Sequence, residues 1–491
     1  MRVLRASKSP SAIRCRQSRS SAAVSGLGKD PAFASSRREN SRLWAKSSSA
    51  AEIMYIAPFP PPYELQGRPY APVCLVMSPP TFRRFSSWYA NPLRNVVYCF
   101  ENPSKKEKER KIMEQGLSRR LKAALQDAGA GCSALSWTTE DGKHLWGRNF
   151  DFNRISQDSK VSVVPRGTVY HTCIADPKQP PSQETRQVSR YGAVGMGLLL
   201  LPASPILYEG INDQGLMGGQ LYYRGFAHFP SLVRPDTAPL QPPLAVYHLL
   251  AQCATVAEVA EMLERQVTLV AQPLMGTVPP LHWSFSDRTG ETIVVESDQD
   301  GLHIYRNTVG VMTNSPGYPW HRLNLLNYAG IRDLDYDTLE LDQLCLDQCF
   351  SGSGAQGLPG DWSSPSRFIR LAFLRHYGAK GKNEADGVSR MLHLFQSAIF
   401  PLGMVRVSQP GKPSELEPEG LPFDYTVYTS LMCSESLRFY WVSYENQRVR
   451  YVDLSCLAQA KAPVQFDLGR CPDFLDITSQ SCSEAALQGN P

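Results

Sequence analysis

Residues Gly131–Asp151 read GCSALSWTTEDGKHLWGRNFD, two runs of β-type residues on either side of Asp141-Gly142. An Asp-Gly pair between alternating runs signals a hairpin, because a two-residue type I′ loop needs positive φ at both of its residues. With Asp141 and Gly142 as the loop, Glu140 pairs with Lys143. Counting outward then sets Cys132 opposite Asp151 and Arg148 opposite Leu135. A thiol, a carboxylate and a guanidinium converge at one end of the hairpin.

Such a cluster suits nucleophilic attack on an acyl carbon. A cysteine thiol with a pKa of about 8.5 is only slightly ionised at neutral pH, and a neighbouring cation lowers that value. The nucleophile also needs a base. His144 sits at the turn end of the hairpin, remote from Cys132, so no Cys–His arrangement is visible. A free α-amino group on the cysteine itself, with a pKa of about 7.7–8.0, would serve, with Asp151 to orient it. That requires a chain break before Cys132. On the hairpin alone a second reading stands beside this one: a structural cysteine at a strand start, near a surface Asp–Arg pair.

Working outward, the 491 residues divide by charge. Residues 1–131 carry 23 Lys+Arg against 9 Asp+Glu, and the remainder carries 28 against 37, so an extension of +14 precedes a body of −9. The acidic body argues against a nucleic-acid partner, although the whole chain is basic. No run approaches the ~20 apolar residues of a membrane span; Met196–Pro202 reads as a buried strand. The twelve cysteines are scattered, which suits reduced, buried thiols better than a disulfide framework. Cys345 and Cys349 lack a second ligand pair at zinc spacing, and the nine His form no HExxH, so no metal and no other cofactor is implied.

Residues 1–50 hold 13 Ser and 11 Lys+Arg against Asp30 and Glu39 alone, the composition of a transit peptide or of a disordered leader. Residues 57–104 are Pro-rich and aromatic without period. The spacing of Ile112, Met113, Leu117, Leu121 and Leu125 predicts a helix over 105–126, ended by Gly129 and Gly131. After Cys132 short β-type runs dominate, among them His144–Phe152, His282–Ser286, Thr292–Glu296 and Phe439–Ser443. Helical stretches fall near 244–264, 320–329, 366–376 and 386–397. The mixture predicts an α+β layered domain over 132–455, with residues 456–491 as a loosely ordered tail.

Cys132, with TEDGK at Thr139–Lys143 and WGRNFD at Trp146–Asp151, resembles the start of mature choloylglycine hydrolase family enzymes, the conjugated bile acid hydrolases and penicillin V acylases. Four further blocks match in order: EGINDQGLMGGQLYY (Glu209–Tyr223), GVMTNSP (Gly310–Pro316), DWSSPSRFIR (Asp361–Arg370), and DYTVYTS (Asp424–Ser430) followed by Phe439–Val442. The resemblance covers residues 132 to about 455. It implies the four-layer αββα sandwich of the N-terminal nucleophile hydrolases and no cofactor. By resemblance, the Cys132 sulfur attacks the amide carbon, its own amine relays the proton, and Asp151 holds that amine. Arg148 and Arg367 would polarise the thiol, and Asn314 with Tyr222 would stabilise the oxyanion.

Relatives of this kind carry a single Met, a short propeptide or a signal peptide before the nucleophile, whereas this chain has 131 residues there. Removal at Gly131–Cys132, a later start such as Met113, or a protein never matured are the three options. The last makes the chain a non-catalytic binding protein. Tyr222 stands where bile acid hydrolases resemble one another in carrying Asn. A bulkier aromatic there narrows a pocket toward flat aryl-acyl groups. The expected activity is therefore penicillin V acylase-like hydrolysis of a small-molecule amide, with conjugated bile acid hydrolysis as the alternative. The resemblance also implies a homotetramer. The expected compartment is the cytoplasm, or an organelle if the extension is a targeting signal.

Overall fold

The computed structural model describes residues 131–174, 181–199, 204–274, 276–407, 421–457 and 460–478. The extension before Gly131, with the helix expected over 105–126, lies outside the described residues, as does the tail beyond residue 478.

The hairpin forms as β1 (Gly131–Thr138) and β2 (His144–Phe152). Its register differs by one residue from the two-residue loop. Thr139 N donates to Lys143 O at 2.9 Å and Gly142 N to Thr139 O at 3.1 Å, so Glu140 joins Asp141 and Gly142 in a three-residue loop. Gly142 takes φ +80°, the left-handed position that closes a type I turn followed by a bulge. Cys132 therefore pairs with Phe150, Arg148 with Ala134, and Asp151 with Gly131. The expected pairs Cys132–Asp151 and Arg148–Leu135 are not formed. A one-residue shift exchanges the faces of a strand.

Thirteen further strands complete two antiparallel sheets. In chain order they are β3 (Lys160–Val164), β4 (Ala193–Leu198), β5 (Ile206–Asn212), β6 (Met217–Tyr222), β7 (Leu281–Ser286), β8 (Thr292–Asp298) and β9 (Gly301–Tyr305). After them come β10 (Val311–Met312), β11 (Val405–Arg406), β12 (Phe423–Cys433), β13 (Arg438–Ser443), β14 (Arg450–Asp453) and β15 (Val464–Phe466). The first sheet has the order β10-β1-β2-β12-β13-β14, with β11 on β12; the second runs β9-β8-β7-β6-β5-β4-β3-β15. Strands β1 and β2 are buried on both faces, so neither shows the apolar–polar alternation of a half-exposed strand. Gly147 lets β2 lie close to β12: a Cβ there would fall 2.4 Å from Ser430 O.

Helices cover both outer faces. On the second sheet, α1 (Ala245–Gln252) packs against β5, followed by α2 (Val256–Glu261). The single helix expected over 244–264 breaks at Cys253, which is extended, and restarts where Thr255 Oγ1 accepts from Glu258 N. A short α3 (Tyr318–Asn324) follows β10. On the first sheet, α4 (Ser364–Tyr377) and α5 (Glu384–Gln396) pack against β1, β2 and β12. The chain is an αββα sandwich. Between the sheets lie Trp146, Phe150 and Tyr208, all buried, with the Phe150 and Tyr208 ring centres 5.5 Å apart. Side chains of this size dominate a core's apolar burial.

The boundary at residue 455 falls short of the folded body. Beyond it β15 pairs with β3 as the outer strand of the second sheet, and Trp441 Nε1 donates to Leu468 O at 2.9 Å. Cys345, Cys349, Cys456 and Cys471 are exposed thiols rather than buried ones. Among the described residues no helix is long and apolar enough to cross a membrane, and no group of three His, Cys, Asp or Glu could hold a metal ion.

Candidate active site

A strand buried on both faces should carry few polar side chains, since each needs a partner. β2 carries Arg148, Asn149 and Asp151 in four residues, all buried. Their partners sort by face. Even-numbered residues of the hairpin look toward the second sheet: Arg148 Nη1 donates to Gln220 O at 2.8 Å and to Glu209 Oε2 at 3.1 Å. Odd-numbered residues look toward the helices: Asn149 Nδ2 donates to Phe395 O at 3.1 Å in α5, and Asp151 Oδ1 accepts from Thr426 Oγ1 at 2.5 Å.

This sorting places Cys132 with Arg148 rather than with Asp151. Arg148 Nη2 makes a hydrogen-bond contact with the Cys132 sulfur. Asp151 lies on the opposite face, toward the helix side. A main-chain nitrogen lies in the plane of a strand and can be reached from either face, so the carboxylate is suited to the nitrogen of Cys132 and the guanidinium to its sulfur.

Strand β10 brings Asn314. It pairs with β1 through Ala134–Met312, and continuing that register two residues sets Asn314 beside Cys132. Cys132 N donates to Asn314 Oδ1 at 2.9 Å, and Asn314 Nδ2 donates to Tyr222 O at 2.8 Å. Tyr222, at the end of β6, thus meets the cluster through its backbone carbonyl. Helix α4 brings Arg367 in its first turn, where Ser363 caps the helix and Pro365 starts it. Arg367 Nη1 donates to Cys132 O at 2.6 Å and to Ser133 Oγ at 2.7 Å, while Nη2 donates to Asn314 Oδ1 at 2.8 Å. All six residues singled out in the sequence meet around Cys132.

The charges explain what this form of the chain can and cannot do. Burial pushes the Cys132 thiol up to about 11, against the pull of Arg148. Burial likewise raises the Asp151 carboxyl to about 6, although Arg367 and Thr426 favour its ionised form. Arg367 is lowered by burial, with Asp151 and Cys132 working the other way. Asp151 Oδ2 finds no hydrogen bond among the described residues and sits 3.9 Å from Arg367 Nη1. The thiol itself is 0% exposed. With the Gly131–Cys132 peptide in place, the sulfur is buried and burial favours its protonated form.

Three supporting residues escaped the sequence reading. Glu209, on the second sheet, is fully buried and takes donors from two strands of the first. Ser364 Oγ accepts from Asn314 N at 2.9 Å, and His321 Nε2 lies 2.8 Å from Asn314 O, so the backbone of Asn314 is held at both polar atoms. Burial lowers His321 to about 4, which keeps it a neutral donor to that carbonyl. Glu209 and Ser364 lie within quoted blocks; the signal available was a carboxylate inside a β-type run at Ile206–Asn212.

Comparison with known proteins gives a consistent set of relatives. Linear amide C-N hydrolases of the choloylglycine hydrolase family match residues 132–459. The bile salt hydrolase/transferase of Clostridium perfringens is 32% identical over 332 residues, 66% of this chain and 92% of that protein. The bile salt hydrolase/transferase of Lactiplantibacillus plantarum is 29% identical over 66% of this chain and 92% of its own. Among solved structures, a variant of the Clostridium perfringens conjugated bile acid hydrolase superposes with a TM-score of 0.62 and 27% identity, covering 70% of this chain and all of that one. Penicillin V acylase from Agrobacterium tumefaciens shares the fold at a TM-score of 0.53 and 20% identity, covering 69% of this chain and 92% of its own.

Proposed function

The chain belongs to the choloylglycine hydrolase family of linear amide C–N hydrolases, and on that premise we propose that its working form begins at Cys132 and cleaves the amide of a conjugated bile acid. One observation carries the reading: both ends of a single cysteine are served, Arg148 at its sulfur and Asn314 and Arg367 at its main-chain nitrogen and oxygen.

In the released form the α-amine takes the proton from the sulfur, which attacks the amide carbon. The oxyanion receives the second N–H of Asn314 Nδ2, the first being held by Tyr222 O. Collapse breaks the C–N bond, and the leaving amine takes the proton from the α-ammonium, leaving a thioester. Water adds to the thioester, giving a proton to the amine, and the carboxylic acid departs as the thiol is restored. An amine in place of water at that step would form a new amide, which is one kind of transfer; the relatives are named hydrolase/transferase.

Asn314→Ala should lower kcat by about 10²–10³, the typical loss for one oxyanion donor. Single-turnover rates on processed protein check this. A loss under tenfold, with the fold intact, would remove Asn314 from that role.

The identities of the relatives favour the bile-acid substrate, whereas Tyr222 favours a flat aryl-acyl group and supports penicillin V as the second reading. Offered both substrates side by side, processed protein should show the higher kcat/KM on the glycine-conjugated bile salt. Tyr222→Asn should raise that preference several-fold, because the smaller side chain widens the pocket. A clear preference of the unmodified protein for penicillin V would reverse the assignment.

A further inference from the structure

We propose that Glu209 is a positioning residue for the nucleophile: it fixes Arg148 on the Cys132 sulfur and offsets the charge of that guanidinium, so setting how readily the thiol ionises. The inference rests on Cys132 being the nucleophile, and it adds a residue that acts on the sulfur only through Arg148.

The geometry is a relay across the two sheets. Glu209 stands on β5 and is 0% exposed. Its Oε2 accepts from Arg148 Nη1 at 3.1 Å and from Tyr428 Oη at 3.0 Å, and its Oε1 accepts from Ser430 Oγ at 3.0 Å. Tyr428 and Ser430 both come from β12, so the carboxylate ties β5 to two strands of the opposite sheet. Arg148 is thereby held at Nη1 by Glu209 and Gln220 O, leaving Nη2 on the sulfur. A guanidinium's planar fork makes one fixed edge determine the aim of the other.

The charged and titratable groups whose fields reach the thiol are Arg148 and Asp151 from β2, Arg367 from α4 and Tyr428 from β12. Those facing Glu209 are Arg148 and Tyr428. Burial raises Glu209, while Arg148, Tyr428 and Ser430 favour its carboxylate form. With Glu209 ionised, the thiol faces a compensated pair instead of a bare cation. Removing the carboxylate charge while keeping its shape leaves Arg148 less compensated, with Asp151 still acting on it, which favours the thiolate.

Glu209→Gln in the full-length chain should therefore lower the pH midpoint of Cys132 ionisation by about one unit, a tenfold change in the ionisation constant. The midpoint is read from thiolate absorbance as the difference from the matching chain that also carries Cys132→Ala. Glu209→Asp, which keeps the charge, should stay near the unmodified midpoint, a contrast that a purely structural role would not produce. Tyr428→Phe removes one donor from the same carboxylate and should lower the midpoint by a smaller amount. It serves as the second variant if Glu209→Gln does not fold. A midpoint that stays in place or rises in the folded variants overturns the proposal. The titration needs no turnover, so loss of the amidase reading would show separately, as processed unmodified protein that hydrolyses no amide.

Discussion

Cys132→Ala should abolish amide hydrolysis, with a loss of about 10⁶-fold in kcat, the scale seen when a covalent nucleophile is deleted. The expectation follows from the arrangement around that one side chain. Arg148 meets the sulfur, while Asn314 and Arg367 hold the main chain of the same residue. None of these can attack carbon. The variant should nevertheless remain folded, because the cysteine contributes one buried sulfur to a core with many larger side chains. Its truncation leaves one guanidinium N–H without a partner, a cost of about 1–3 kcal/mol. Thermal unfolding beside single-turnover kinetics separates the two effects. Retained hydrolysis in a folded Cys132→Ala protein would end the N-terminal-cysteine mechanism. Cys132→Ser should keep only a trace, since an alkoxide is far harder to form than a thiolate.

Cutting Gly131–Cys132 should raise activity from background by at least about 10³-fold, since it supplies both the general base and access to the sulfur. In the uncut chain the nitrogen of Cys132 is an amide that donates to Asn314 Oδ1, and its lone pair is delocalised into the peptide bond. It cannot take the thiol proton. The thiol stands at about 11 and is fully buried, and Asp151 Oδ2 lacks a hydrogen bond among the described residues. A new α-ammonium changes each term: it adds a cation beside the thiol, lowering its pKa, and it gives Asp151 a donor. Intact mass and N-terminal sequencing identify the cut form, and rates on cut and uncut protein at equal concentration give the ratio. Uncut protein that hydrolyses substrate as fast as cut protein would require an internal cysteine with some other base.

Much of the site could be read from the residues, and the misreadings have a shared physical origin. Asp141-Gly142 announces a hairpin, but a two-residue loop and a three-residue loop with a bulge both end on a glycine at positive φ. What decides between them is Thr139, whose Oγ1 accepts from Lys143 N at 2.8 Å and donates to Asp141 Oδ1 at 2.5 Å. Those side-chain bonds favour the longer loop, and no count of alternating residues reveals them. The same limit hid Glu209, whose importance depends on Tyr428 and Ser430 more than two hundred residues away. It hid β15 as well: Val464–Phe466 is too short to signal a strand until β3 offers it an edge. Tyr222, Asn314 and Arg367 could be read because each sits beside a strand end or in the first turns of a capped helix. Ser363 and Pro365 before Arg367 are one example.

The three-residue loop also bears on how this fold tolerates change in length. Exposed turns far from a reactive centre ordinarily absorb insertions and deletions. Here both strands leaving the turn are clamped on their far sides, β1 by β10 and β2 by β12, so neither can slide to take up a missing residue. A deletion among Glu140, Asp141 and Gly142 would have to be borne by the turn itself, or by pulling Cys132 and Arg148 out of step. Spacing, more than residue identity, is what descent must preserve at this surface bend, although it sits at the opposite end of the hairpin from the thiol. Library designs that vary the length of this bend would be altering the aim of the nucleophile.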